Sequence, residues 1–334
     1  MRTPSATVIL VSLLLFSCYS VKKASNQVRI GMCSDVHLPT MHDATFRLTT
    51  FMDEMKATNP DFIIELGDFA EASDKFADYY KLWDSFPWDK YHVIGNHEMD
   101  GGHSREQALE IRKMKSSWYS FDKGGFHFIV LDGNDVKDEN AKGYKQFIGA
   151  KQIEWLKDDL SEAGYPVVIF SHQGLVRYQG VEEEYGVENG EQVRKIIDDY
   201  NLKTPDKRVI ACFNGHTHWD YVEILNNVWY IHINSMSYNW LGESYAKIRY
   251  SDEVDKNYKW IKYTAPFKDP LFTTVIISTK GWIKIAGKKS EWVGPSPFEL
   301  GYPERMKKFI RPAITARTLK YKISPKNKST PPGH

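Results

Sequence analysis

Five short clusters of metal-binding residue types follow one another along the chain. They are Asp35-Val36-His37, Gly67-Asp68, Gly95-Asn96-His97-Glu98, His172, and Gly215-His216-Thr217-His218. Leaving Glu98 aside, they supply two carboxylates, an amide oxygen and five imidazoles. That donor set is enough to hold two metal ions side by side and to leave one histidine for proton transfer. Two metals about 3.5–4 Å apart lower the pKa of a shared water and clamp phosphoryl oxygens, which is what hydrolysis of a phosphate ester requires. Such a site needs a carboxylate shared between the ions, with imidazole and carboxylate ligands that leave positions open.

The spacing within the clusters suits this chemistry. Residues two apart in an extended chain point the same way, so Asp35 and His37 reach one metal. His216 and His218 share that spacing, but in a tight turn they diverge towards two metals; spacing alone leaves both arrangements open. Gly67 lets the backbone turn so that the Asp68 carboxylate faces outward. Taken singly, each cluster is weak. Asp-x-His and Gly-Asp recur by chance, Asn96 has the residue type of a helix cap, and a lone His172 is more often a satisfied histidine than a ligand. The joint order carries the weight.

The elements that must position these residues recur five times in the same form. Apolar runs at 28–33, 62–66, 91–94, 167–170 and 209–213 each end at one of the clusters. A short buried strand with a ligand at its C-terminal end is the placement found in open α/β sheets. Apolar residues at three- and four-residue spacing predict helices over 44–57, 75–85, 105–114, 151–163 and 191–200, with Gly164 and Asn201 as stops. Further strands are expected at 126–132 and 228–234, and a hairpin from 272–278 and 282–286 around Thr279-Lys280-Gly281. Alternating strands and helices make this an α/β layered chain.

The order of clusters resembles that of the calcineurin-like metallophosphoesterase superfamily, in its bacterial exported phosphatase or phosphodiesterase type. Its signature is Asp-x-His, Gly-Asp, Gly-Asn-His-Asp/Glu, a lone His, then Gly-His-x-His, and every element stands here between about Val28 and Asn234. The resemblance implies a four-layer αββα sandwich of two mixed β-sheets, with the metal site at the C-terminal ends of strands. It implies that Asp35, His37, Asp68 and His218 hold one metal, and that Asp68, Asn96, His172 and His216 hold the other, with Asp68 bridging. His97 would donate a proton to the leaving-group oxygen as general acid, and water or hydroxide on the metals would be the nucleophile. Two divalent or mixed-valence ions are expected, and the mixed N/O ligation suits Mn, Fe, Zn or Co. Purple acid phosphatases differ, with Gly where His37 stands and a metal-binding Tyr where Glu71 stands. Secreted 5′-nucleotidases add a large second domain, for which the residues after Asn234 are too few.

The expected activity is therefore hydrolysis of small phosphate esters, first as a phosphatase. The alternative is a phosphodiesterase or pyrophosphatase acting on cyclic nucleotides or nucleotide diphosphate derivatives. A non-catalytic binding lipoprotein is a third class, disfavoured because no ligand is missing.

The chain has 334 residues with 44 basic and 43 acidic side chains, so it lacks the basic surplus of a nucleic-acid binder and no nucleic-acid polymer is expected as partner. The N-terminus reads as a signal peptide over 1–18: Arg2 precedes an apolar run at 8–16 too short to span a bilayer. Leu15-Phe16-Ser17-Cys18 resembles a bacterial lipobox, which implies a membrane tether through lipidated Cys18; ordinary cleavage near Ser20 is the alternative. Either places the protein outside a bacterial cytoplasm, in the periplasm or anchored to a membrane. Cys33 and Cys212 are expected as small core residues rather than a disulfide framework. The expected phosphoesterase domain covers 27–290. An extension and basic, Pro-rich tail covers 291–334, expected to be poorly ordered from about Arg311. Glu182-Glu183-Glu184, in the polar loop after His172, would repel polyanions if that loop overhangs the site. Trp219, Tyr238 and Trp240 suit either packing or stacking against a base or sugar, and Ser235 to Asn239 are candidates for the rim.

Overall fold

Alternation decides which face each strand buries. In the strand Gln27–Cys33, Val28, Ile30 and Met32 point one way and Cys33 the other. Phe62 and Ile64 of Phe62–Glu65 share the first face, while Ile63 shares the second. The computed structural model, which describes residues 26–137, 144–177 and 186–323, resolves this pattern into four layers. One six-stranded sheet runs in the order Arg317–Lys320, Trp282–Ile285, Thr273–Ser278, Gln27–Cys33, Phe62–Glu65, Lys90–His92. Its last three strands are parallel and its first three antiparallel. The second sheet runs Tyr119–Lys123, Phe126–Leu131, Val167–Ser171, Val209–Asn214, Val228–His232, Tyr221–Leu225, parallel through its middle four strands and antiparallel at both edges.

The inner faces of the two sheets pack together. Val28, Ile30, Met32, Phe62 and Ile64 meet Phe126, Phe128, Val130, Val168, Phe170 and Phe213 in one fully buried cluster. Each such side chain stabilises the fold by roughly 1.5–3 kcal/mol relative to exposure. Outside the first sheet lies the helix Ala44–Thr58, burying Leu48, Phe51, Met52 and Met55 against Ile63 and Cys33. Outside the second lie Ala150–Glu162 and Gly190–Lys203, whose Leu156, Leu160, Val193 and Ile197 cover Ile129, Ile169 and Cys212. The αββα sandwich expected from the resemblance is the fold observed.

Four local expectations are corrected. The helix expected over 75–85 is a 3₁₀ turn, Asp74–Phe76, followed by the helix Ala77–Asp84. The helix 105–114 ends at Ile111, before Lys113 turns left-handed at φ 56°. Asn201 is no stop: it lies inside Gly190–Lys203, and its buried amide donates to Val209 O (3.0 Å) and accepts from Val209 N (2.7 Å), tying helix to strand. The stretch from Arg311, expected to be poorly ordered, supplies the strands Ala313–Ile314 and Arg317–Lys320, the latter completing the first sheet by pairing Leu319 with Ile283. Basic, Pro-rich composition hid a strand with a single buried anchor. Cys33 and Cys212 are buried and unpaired. The signal-peptide segment and Glu182-Glu183-Glu184 lie outside the described residues, and among the described residues no helix is long and apolar enough to cross a membrane.

Candidate metal centre

The parallel strands, the last three of the first sheet and the middle four of the second, bring their C-terminal ends to one edge of the sandwich. Asp35 and His37 follow Gln27–Cys33, Asp68 follows Phe62–Glu65, and Asn96 and His97 follow Lys90–His92. From the second sheet, His172 follows Val167–Ser171, and His216 and His218 follow Val209–Asn214. The backbone must break from β geometry there to aim side chains inward. Asp35, His37, Asp68, His216 and His218 all sit at positive φ, between 52° and 65°, a left-handed conformation that costs a non-glycine residue on the order of 1–3 kcal/mol. Neighbours hold it in place: Asp35 N donates to Gly67 O and His37 N to Asp68 O, each at 3.0 Å.

Among the described residues the side chains form three groups whose ligand atoms lie within 4.8 Å of one another: Asp35, His37 and His218; Asp68, His172 and His216; and, linking these two, His37, Asp68 and His97. His218 Nε2 is 3.2 Å, and His37 Nε2 3.8 Å, from Asp35 Oδ1. Asp68 Oδ2 lies 2.9 Å from His172 Nε2 and 3.8 Å from His37 Nε2, so this carboxylate reaches both of the first two groups. The two imidazoles of His216-Thr217-His218 therefore diverge, one to each of the first two groups, which answers the alternative that spacing left open.

The donor set fits metal ions by its orphaned atoms. Asn96 is 4 % exposed, yet neither its Oδ1 nor its Nδ2 has a hydrogen-bond partner. Buried polar atoms are rarely left so. His172 Nδ1 is 2.7 Å from Leu66 O, an outer contact that fixes the ring and leaves Nε2 for a ligand. Charge points the same way. Burial opposes ionisation of Asp68, but His172 and His97 outweigh it and hold its carboxyl well below the ordinary range. Burial pushes His37 well below its ordinary value, and burial with the nearby charge of His172 takes His216 down to about 3, so both imidazoles are neutral. Neutral imidazole and ionised carboxylate are the ligand-competent states. Burial works against a charge on His172, but Asp68 beside it outweighs this and raises it to about 10, so the proton between them stands where a cation would compensate the same carboxylate.

His97 stands apart. Its side chain is 36 % exposed, its Nε2 lies 4.0 Å from Asp68 Oδ2, and its Nδ1 is fixed to Asp100 Oδ2 at 2.6 Å. Burial would lower its pKa, yet Asp68 and Asp100 outweigh that and hold it at about 9. Asp100, three residues after His97, was not singled out from the sequence; a carboxylate at that spacing in a tight turn is the signal that could have found it.

Other residues support the loops, among them Glu98, the acidic position of the Gly-Asn-His-Asp/Glu motif. Glu98 Oε2 accepts from Gly95 N (2.6 Å) and Asp68 N (3.2 Å) and Oε1 from Phe69 N (2.7 Å), so one buried carboxylate clamps two ligand loops. Arg112 in turn joins Glu98 Oε1 at 2.6 Å and also contacts Glu65. Ser235 and Ser237, candidates for the rim, are instead buried, and their hydroxyls donate to Asp35 O and Val36 O at 2.8 Å. Trp219 is packing: it is buried and stacks on Phe309 at 4.2 Å. Tyr238 is buried against the His37 ring at 5.0 Å, whereas Trp240 is exposed.

A family model described as calcineurin-like phosphoesterase matches residues 28–220. The match covers more than half of the chain, and the chain belongs to this family of metal-dependent phosphoester hydrolases. Among solved structures it is similar to a dimetal phosphatase from Danio rerio (14 % identity, 80 % of this chain and 99 % of that one, TM-score 0.54). It is also similar to GAP50, described as the anchor in the inner membrane complex of Plasmodium (15 % identity, 90 % of each chain, TM-score 0.52). At these identities the likeness is one of fold. No curated protein matches by sequence.

Proposed function

We propose that the protein is a dimetal phosphatase acting on monoesters of small molecules, with His97 as the general acid. The observation that carries this reading is the placement of His97: beside the Asp68 carboxylate, open to solvent on one side, and with its Nδ1 held by Asp100. Asp35, His37, Asp68 and His218 would hold one divalent ion, and Asp68, Asn96, His172 and His216 the other. When bound, such a pair supplies Lewis acidity that activates water at neutral pH and neutralises phosphoryl charge. Asn96 contributes a neutral oxygen, Asp68 fixes the two groups relative to each other, and the His97 Nε2 proton passes to the departing oxygen while Asp100 keeps Nδ1 protonated. Mn, Fe and Zn all suit the donors.

The test compares p-nitrophenyl phosphate with bis-p-nitrophenyl phosphate, using protein stripped of metal and reloaded with Mn, Zn or Fe. Monoester preference, lost in Asp68→Asn and His97→Ala, supports the reading. Diester preference replaces it with the phosphodiesterase one, and two bound metals without turnover on either substrate would sink both. We also propose that the protein is exported and tethered through Cys18, on the strength of the apolar run at 8–16 and the lipobox-like residues before it. Membrane fractionation of the parent and Cys18→Ala checks this: equal release of both from membranes refutes the tether.

A further inference from the structure

We propose that a cleft beside His97 receives the leaving alcohol, that this alcohol is uncharged and carries a flat ring, and that Tyr144 both walls the cleft and positions His97. The inference rests on the phosphatase reading above. The cleft has a volume of about 480 Å³, and its lining runs from Asn96, inside the metal centre, past Met99 and Asp100 to Arg105, Tyr144 and Lys145. It therefore reaches from one proposed metal ligand to Asp100 and Tyr144, the two residues that contact His97 Nδ1.

Tyr144 occupies a telling position there. Its ring stands edge-on to the His97 imidazole, with centroids 4.9 Å apart and planes at 61°. Its hydroxyl lies 3.2 Å from His97 Nδ1 and 3.4 Å from Asp100 Oδ1. Nδ1–H is already given to Asp100 Oδ2 at 2.6 Å, so the tyrosine hydroxyl donates to the other carboxylate oxygen. Asp100 thus receives one donor on each oxygen, and the His97 ring is held both by its own hydrogen bond and by the tyrosine ring. Tyr144 is nonetheless 53 % exposed, and its ring lines the cleft.

Charge in the cleft selects the ligand class. A leaving group bearing a second phosphate needs an uncommitted cation to receive it. The guanidinium of Arg105 is committed: Nε is 3.0 Å from Asp132 Oδ2, one terminal nitrogen is 2.8 Å from Asp135 Oδ1, and the other donates to Asn134 O at 2.7 Å. Lys145 is exposed on the lining, but the cleft carries three carboxylates, Asp100, Glu106 and Asp135, against the two cations Arg105 and Lys145, and that balance disfavours a second phosphate. A ring-bearing neutral alcohol meets Tyr144 and the exposed Val136 without leaving a phosphate unpaired.

The experiment compares the parent, Tyr144→Phe and Tyr144→Ala on p-nitrophenyl phosphate, phenyl phosphate and ADP. Titration calorimetry with phenylphosphonate and methylphosphonate supplies a readout that does not depend on turnover. An acid matters most when the leaving group is poor, so Tyr144→Phe should lower kcat about tenfold on phenyl phosphate and less than about twofold on p-nitrophenyl phosphate, with KM unchanged. Tyr144→Ala should add a loss of about fivefold in phenylphosphonate affinity while methylphosphonate binding holds. Equal losses on both monoesters would mean a merely structural role and overturn the positioning claim. Unchanged phosphonate binding in Tyr144→Ala, or preference of the parent for ADP over phenyl phosphate, overturns the cleft assignment while leaving the phosphatase reading intact. A parent inactive on every monoester sinks the reading and this inference together.

Discussion

Gly67 packs so closely against His172 that a methyl group on its Cα would lie 2.5 Å from His172 Nδ1. Gly67 also sits at φ 97°, where a side chain is strained whatever the space. Gly67→Ala should therefore destabilise the fold by about 1–3 kcal/mol and displace the ring whose outer nitrogen bonds Leu66 O. Calorimetric metal titration is expected to show weaker binding by about one to two orders of magnitude, the range seen when an outer support of a ligand is lost. Undiminished affinity would show that His172 does not depend on this contact.

Arg112 is fully buried between Glu65 and Glu98. Arg112→Met leaves two buried carboxylates without their cation, and breaking a buried pair from one side costs about 3–5 kcal/mol. Denaturant unfolding should report a loss of that size. Glu98→Gln, which keeps the shape but weakens the clamp on Gly95 and Asp68, is expected to cost less stability and more metal affinity. The reverse ranking would refute the clamp.

Five candidate ligands in the left-handed region predict a trade between function and stability. Asn tolerates the left-handed region, and His218 sits there at φ 53° with its buried Nδ1 unpartnered. A buried truncation ordinarily costs about 2–5 kcal/mol. In metal-free protein His218→Asn should cost far less than that, or nothing, while metal binding is lost. Thermal melts of the metal-free parent and variant decide it; a full truncation penalty refutes stored strain.

His127 offers a pH dependence remote from the metal centre. Its ring nitrogens lie 2.7 Å from Asp122 Oδ1 and 2.9 Å from Asp159 Oδ2. Burial lowers its pKa, but the hydrogen bonds to Asp159 and Asp122 outweigh that and raise it above 6.5. A raised folded-state value stabilises fully below the unfolded value and less as pH climbs through the folded one. The difference in melting temperature between the parent and His127→Gln should thus be largest near pH 6 and shrink by about pH 9. A difference that grows with pH reverses the sign and rejects the assignment.

The candidate ligands could be picked out because each motif is local: a few adjacent residues at a strand end, readable without knowing what packs beside them. The buried runs before them were legible for the same reason, since alternation and strand length are local properties. What supports the site was not. Ser235 and Ser237 reach Asp35 and Val36 across 200 residues, and Arg112 meets Glu65 across 47, so only the folded chain brings them together. The left-handed backbone at Asp35, His37 and His218 ran against residue preference and is imposed by the surrounding hydrogen bonds. Arg317–Lys320 escaped notice because an edge strand with one buried side chain has too few apolar residues to announce itself.

The first sheet sets Gln27–Cys33 between Phe62–Glu65 and Thr273–Ser278. A ribosome making this chain releases every candidate ligand, and the whole of the second sheet, before the neighbour on one side of Gln27–Cys33 exists. At about 5–20 residues per second that strand waits tens of seconds with one edge open, its backbone groups free to recruit another chain. A premature stop after His218 would spare all seven proposed ligands and still deprive Asp35 of the serine that props it and of the strand that closes its sheet.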